Sequence, residues 1–203
     1  FAELLKEPHL EESEQKQFIE VIERSGKRML NIINDLIDIS KIEANQMEVI
    51  LSKVDINAQL DDLYEFFTPE SEVKKINLCF NAPKLSKKIV VQTDQQKLYA
   101  ILTNLIKNSV KHTKGGEISF GYQKKQRFLE FYVIDSGTGI PLEKQKNIFE
   151  RFVQAEQNHS RQYEGAGLGL AITKAYVEML GGKIWIESSN ENGTEIRFTV
   201  LLK

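Results

Sequence analysis

Asn104-Leu-Ile-Lys-Asn108-Ser-Val-Lys111 is the stretch on which the fold is decided. It lies in a run from Asp94 to Thr113 with helical spacing. Leu98, Ile101, Leu102, Leu105 and Ser109 fall on one arc of a helix. Asn104, Asn108 and Lys111 recur at i, i+4 and i+7 and form a polar stripe beside that arc. Asn is a mediocre helix former that prefers caps and turns, so helix stability does not account for the stripe. An amide oxygen suits a hard cation and a lysine suits phosphate, which points to a Mg-nucleotide. Asn108 is the candidate Mg²⁺ ligand, Asn104 its support and Lys111 the phosphate contact.

The flanking segments extend this helix into a mixed α and β unit. Ser52 to Ile56 predicts a short strand, followed by a helix to about Lys74. Ile76 to Asn81 and Lys88 to Gln92 predict short strands. Two alternating runs, Glu117 to Gln123 and Arg127 to Ile134, follow the stripe helix. Pro141 to Gln154 reads as partly helical, and Asn158 to Glu164 as a polar loop. Leu168 to Leu180 predicts a helix stopped by Gly181-Gly182. Lys183 to Ser189 and Thr194 to Leu202 predict a closing hairpin. The expected class is α+β, with helices layered on a mixed, largely antiparallel sheet.

Upstream, residues 14–44 carry a different pattern. Phe18, Ile22, Ser25, Met29, Ile32, Leu36 and Ile39 alternate spacings of four and three, a heptad seam. Ile19, Gly26, Leu30, Ile33 and Ile37 widen it, which predicts a helix covered on several sides, as in a bundle or dimer. Ser13 is the expected cap, with Glu14 in the first turn. Two units are therefore expected: 1–48, helical, and 49–203, mixed.

Composition sets the bounds. The chain has 203 residues and a net charge of −2, with 41% hydrophobic residues, enough for a proper core. Near-neutrality gives no electrostatic case for nucleic acid or for a membrane surface. A single cysteine, Cys79, excludes an internal disulfide and fits a reducing compartment. No apolar run approaches the roughly 20 residues of a membrane span. A cytoplasmic location is expected, with no direct membrane contact. The chain opens at Phe1, inside helical sequence, and is expected to be a fragment of a longer protein whose further segments include any membrane anchor.

Two further motifs carry chemistry. Asp135-Ser-Gly137-Thr-Gly139-Ile140 follows directly on a strand. It places a carboxylate beside a backbone that a flat ring can approach, or else makes a plain turn. Gly165-Ala-Gly167-Leu168-Gly169-Leu170 leads into the last helix. Its free N–H groups suit phosphate, and its glycines suit a hinge. It follows no strand, so it is not a Rossmann fingerprint, and no P-loop is present.

Taken together, the three motifs resemble the Bergerat ATP-binding fold of the GHKL superfamily, specifically the sensor histidine kinases of two-component systems. Asn104 to Asn108 resembles the N box, Asp135 to Gly139 the G1 box, Phe149-Glu150-Arg151-Phe152 the F box, and Gly165 to Gly169 the G2 box. Asn192-Gly193-Thr194 resembles a terminal glycine box. Asn34 to Glu43 is similar to the end of the second helix of the family's dimerisation and histidine-phosphotransfer domain. The resemblance implies ATP and Mg²⁺ as cofactors. It implies that Asp135 reads adenine while Gly137, Gly139 and Ile140 admit the ring. It implies that Gly165, Gly167, Leu168 and Gly169 form the phosphate side and hinge of a lid. Phe149 and Phe152 would anchor that lid, and Arg161 would stand within reach of the γ-phosphate. The implied partners are a response-regulator receiver domain and a second copy of the chain.

The family's phospho-accepting histidine stands in a His-Glu-x-x-x-Pro setting, which this chain lacks. Its histidines are His9, His112 and His159. The acceptor is expected upstream, so ATP binding without autophosphorylation is expected here. Three rivals share the observations: a hydrolytic ATPase of the same fold, a serine kinase of the anti-sigma type, and a dimerising scaffold with a vestigial site. The hydrolytic relatives carry a Glu where Asn104 stands, and the long seam of residues 14–44 argues against the serine kinase.

Overall fold

In the computed structural model the described residues are 1–7, 10–81, 89–153 and 166–202. After a 3-10 turn at Leu4–Lys6 comes α1, Glu12–Glu43. Its cap is Glu11 and not Ser13. Glu14 accepts from the Glu11 backbone N–H at 3.4 Å, and Glu11 closes the reciprocal bond of a capping box. Ser13 lies two residues on, within the first turn, and donates to Glu11 Oε2 at 3.5 Å. Three glutamates thus face the positive end of the helix dipole.

The heptad seam of α1 is largely uncovered. Ile39 is its one buried residue among those described. Met29 and Leu30 are 65% and 61% exposed, and Ile33, Leu36 and Ile37 are exposed beside them. The C-terminal end of α1 docks on the mixed unit, while Phe18 near its start packs on Phe1 of the preceding segment, 5.3 Å between ring centroids.

The mixed unit comprises β1 (Ser52–Asp55), α2 (Ile56–Val73), β2 (Ile76–Asn81), β3 (Val90–Thr93), α3 (Gln95–His112), β4 (Gly116–Lys124), β5 (Phe128–Asp135), α4 (Leu142–Gln145), α5 (Gly169–Met179), β6 (Ile184–Asn190) and β7 (Gly193–Leu201). β1 and β3 pair antiparallel as a separate ribbon. The main sheet runs β2-β4-β5-β7-β6. Its β2–β4 pair is parallel and the others are antiparallel, so the sheet is mixed and largely antiparallel, as expected. The stretch expected to be partly helical contains the four residues of α4.

Alternation explains the layers. On β5, Leu129, Phe131 and Val133 are buried against the helices, while Glu130 and Tyr132 point to the open face. Phe131 stacks on Phe198 of β7 at 4.9 Å between ring centroids. From the other layer, α2 brings Leu60, Leu63 and Phe67, and α3 brings Leu98, Ile101, Leu102, Leu105 and Ile106. Each such side chain contributes about 1.5–3 kcal/mol by leaving water. On the open face Arg197 bonds Glu130 at 2.8 Å and also pairs with Glu195. Glu195 and Glu130 hold its guanidinium above the usual value against the opposing effect of burial.

The start of α3 is fixed by a buried acid. Asp94 Oδ1 accepts from Lys97 N at 3.0 Å, and its Oδ2 accepts from Ile50 N and Lys97 Nζ, each at 2.9 Å. Burial opposes ionisation of Asp94. The donated bonds and the Lys97 charge outweigh it and hold the carboxyl below its ordinary value. One carboxylate thereby caps the stripe helix and pins the segment leaving α1. At the end of α1, Asp38 Oδ2 accepts from Tyr176 Oη of α5 at 3.0 Å, and Glu43 pairs with Arg151. Burial, then the facing Asp38, push the Tyr176 phenol up. Burial, then Asp38, raise Asp35 against the opposing pull of Lys107.

Candidate functional site

Three elements place the motif residues: α3, the loop after β5, and the start of α5. The apolar arc of α3 is buried as predicted, which turns the Asn104 side toward α5. Asn104 Nδ2 donates to Thr173 Oγ1 at 2.8 Å. Its Oδ1 lies against Gly169, where a Cβ would stand 2.6 Å from it. The first asparagine of the stripe therefore touches the glycine motif directly. Asn108, one turn on, is half-buried, and its side chain makes no hydrogen bond among the described residues. Lys111 is half-buried at the last turn.

Asp135 ends β5 opposite Ile118 of β4 and Thr194 of β7. Its Oδ2 accepts from Ser109 Oγ at 2.9 Å and its Oδ1 from Gly137 N at 3.0 Å. α3 and β5 thus meet through a hydroxyl and a carboxylate. The loop that follows is latched to the last hairpin. Ile140 N donates to Ser189 Oγ at 2.8 Å, and Ser189 Oγ meets Thr194 Oγ1 at 2.9 Å. Gln145 Nε2 donates to Ile140 O at 2.8 Å and to Ser189 O at 3.2 Å. Gly193 of the terminal glycine box lies under Asp135, since a Cβ there would meet Asp135 O at 1.8 Å.

The two loop glycines have a packing reason beside the one the sequence suggested. A Cβ on Gly137 would lie 2.7 Å from His112 O, and one on Gly139 would lie 1.9 Å from Asn190 O. Their missing side chains admit the protein's own backbone. A shallow cavity of about 280 Å³ adjoins this loop, between His112 and Lys114 on one side and Gly137 and Thr138 on the other.

The lid residues divide. Arg161, Gly165 and His159 lie outside the described residues, as does His9. Phe149 is half-buried, but Phe152 is 68% exposed and anchors nothing by burial. Ile148, 6% exposed, is the residue of this segment that enters the core. Phe152 is instead tied by its backbone: its N–H donates to Gly167 O at 2.9 Å, with φ at 62°. Gly167, with φ at 72°, lies against the backbone of Phe152 and Val153. The Leu168 side chain is fully in the core. α5 begins at Gly169 with no side chain capping it, so its first N–H groups are free of a side-chain acceptor. Thr173, Ser189 and Asn190 were absent from the sequence-based set. Each acts through a contact distant in sequence that no local pattern marks.

The family model described as histidine kinase-, DNA gyrase B-, and HSP90-like ATPase matches residues 93–203, more than half of the chain. The His Kinase A (phospho-acceptor) domain model matches residues 1–45. Hybrid signal transduction histidine kinase B of Dictyostelium discoideum is 35% identical, covering 98% of this chain and 10% of that protein. Autoinducer 2 sensor kinase/phosphatase LuxQ of Vibrio parahaemolyticus is 34% identical over all of this chain and 24% of its own length. The chain thus spans a quarter or less of these two relatives. Among solved structures, full-length ShkA in complex with AMPPNP superposes with a TM-score of 0.81 at 27% identity, covering 98% of this chain and 42% of that one. Histidine kinase ThkA in complex with response regulator protein TrrA shares the fold, with a TM-score of 0.76 at 22% identity over all of this chain and 56% of that one. With the N-box helix, the Asp135 loop and the α5 glycines arranged around one another, the chain belongs to the histidine kinase-, DNA gyrase B- and HSP90-like ATPase family, as a member of its sensor histidine kinase branch.

Proposed function

We propose that this chain is the ATP-binding catalytic part of a two-component sensor histidine kinase, with residues 49–203 as the catalytic unit and 1–48 as part of the dimerisation and phosphotransfer unit. The observation that carries the reading is the convergence of α3 on both other motifs. Asn104 reaches Gly169 and Thr173, and Ser109 reaches Asp135. The boundary near 49 is favoured because β1 pairs with β3 and Leu60 and Leu63 of α2 are buried with α3, whereas Ile39 is the one buried residue of α1 among those described.

In this reading Asp135 accepts from the adenine amino group, and Gly137, Gly139 and Ile140 present backbone to the ring. Lys111 and the free N–H groups of α5, from Gly169 on, hold phosphate oxygens. Phe149, Phe152, Gly165 and Gly167 border the lid, and Arg161 lies within it. Mg²⁺, when bound, neutralises phosphate charge. Asn108 fits it, because its amide has no competing partner among the described residues. No cluster of three acidic, histidine or cysteine side chains stands among those residues to form an all-protein cage, which also suits Mg²⁺. Asn104 offers an amide where a hydrolytic relative has a carboxylate, and that amide is already bonded to Thr173. It does not serve as a base for water, so the chemistry is transfer.

Phosphoryl transfer also needs an in-line nucleophile. His112 closes α3 rather than standing on α1, and His9 and His159 lie outside the described residues. The acceptor is a histidine of the whole protein, and the phosphate passes on to the aspartate of a response-regulator receiver domain, in the cytoplasm. Incubation of the purified chain with radiolabelled Mg-ATP is expected to show saturable binding and no acid-labile, base-stable phosphoprotein. A stable phosphohistidine on this chain sinks the second half of that statement, and absence of binding sinks the first.

The exposed seam of α1 supports self-association. Met29, Leu30, Ile33, Leu36 and Ile37 form an apolar strip longer than a monomer ordinarily leaves to water. Sedimentation of the chain is expected to show a dimer that the double change Ile33→Glu and Leu36→Glu dissociates. A wild-type monomer at high micromolar concentration overturns this.

A further inference from the structure

Ser109 is a polar residue in an apolar place. It is 6% exposed on the arc of α3 that otherwise carries leucine and isoleucine. Alanine would suit both the helix and the packing better, and a buried hydroxyl is costly unless bonded. Its bond goes across the fold, to a carboxylate 26 residues away, rather than back to its own helix. The recipient is Asp135, the residue with which the base-reading role begins.

The geometry around that carboxylate is specific. Ser109 Oγ donates to Oδ2 at 2.9 Å and Gly137 N donates to Oδ1 at 3.0 Å. One donor on each oxygen fixes the plane of the group. A carboxylate offers about four acceptor positions, so lone pairs remain on both oxygens for a ligand. A group so placed accepts and does not donate. It welcomes an exocyclic amino group and repels a carbonyl oxygen in the same position.

We infer that Ser109 is a positioning residue for base selectivity, holding Asp135 so that the site prefers a purine with a 6-amino group over one without it. This rests on the ATP-binding reading above. The Gly137 bond alone leaves the carboxylate free to swing about its Cβ–Cγ axis, because it is local and comes from the same loop. The Ser109 bond ties the group to the rigid helix that also carries Asn104 and Asn108. The base end and the phosphate end of the site are thus referenced to one element.

The test is calorimetric titration of the wild-type chain and of Ser109→Ala with Mg-ATP and with the Mg salt of purine riboside triphosphate, which lacks the amino group. The wild type is expected to prefer ATP. S109A is expected to bind ATP about 5- to 20-fold more weakly, the size of one lost positioning hydrogen bond, and to bind the amine-free nucleotide as before. Ser109→Thr, which keeps the hydroxyl, is expected to keep the preference if it folds, as checked by thermal melting. If it does not fold, the comparison with alanine decides alone. Equal weakening of both nucleotides in S109A, or an ATP preference that survives in it, overturns the role of Ser109 and leaves the ATP reading standing. A wild-type chain that binds neither nucleotide removes that reading and this inference with it.

Discussion

Asp135→Asn is expected to lower the affinity for Mg-ATP by about 100-fold, the effect of losing a hydrogen bond to a charged acceptor together with a donor placed against a donor. The substitution changes almost no volume. Gly137 N would still find an oxygen, because the side chain of an Asn in this turn accepts as an Asp does. The amide nitrogen then takes the place of Oδ2, facing Ser109 Oγ and the incoming base. The serine hydroxyl can rotate and accept. The adenine amino group cannot, so it meets a second N–H where it had an acceptor. The β5–β7 register at Asp135 and Thr194 is a matter of backbone and is unaffected. The melting temperature is therefore expected to hold while binding is lost. Calorimetry showing an affinity within threefold of wild type would remove Asp135 from base recognition. Coincident loss of melting temperature and affinity would make its role structural.

This separation of effects follows from how the site is built, and it also explains what the sequence could reveal. Periodicity is local, so it found α3, β5 and the closing hairpin. The positions of Leu98, Ile101, Leu102 and Leu105 need only a helix and a core to be read. The family resemblance, and not periodicity, brought Asn104, Asp135 and Gly169 into one expected site. Contacts between elements left no such trace. Ser109 was counted as part of the apolar arc, although its hydroxyl has a partner at the end of β5. Thr173 looked like any polar residue of α5, although it orients Asn104. Phe152 was assigned to the core by its side chain. A backbone bond to Gly167 puts it in left-handed conformation with the ring outward. Ser13 gave way to Glu11 as cap because the Glu11–Glu14 pair satisfies both directions of the capping box.

Gly139 has a packing role beside the ring-admitting one expected of it, and the two are separable by measurement. If it served only to admit a ligand ring, Gly139→Ala would weaken nucleotide binding and spare the fold. The structure predicts the reverse order of events. Gly139 has φ at 70°, which costs an L-residue about 1–2 kcal/mol. A Cβ would lie 1.9 Å from Asn190 O and 2.7 Å from Asn190 C, which are backbone atoms and not the end of a flexible side chain. Neither partner can retreat cheaply. Asn190 is paired to Gly193 at the hairpin turn. The loop is held to the same hairpin by Ile140 N on Ser189 Oγ and by Gln145 Nε2 on two carbonyls. Relieving the overlap means breaking that latch. The combined strain and lost bonds are expected to cost about 3–5 kcal/mol, in the range reserved for substitutions that break a named structural device. For a chain of this size that lowers the melting temperature by about 10 °C. Nucleotide binding should fail as a consequence, because the displaced loop carries Gly137 N away from Asp135. A melting temperature within two or three degrees of wild type, about the effect of 1 kcal/mol, would show that loop and hairpin can part without cost. The close approach at Asn190 would then have no part in holding the site together.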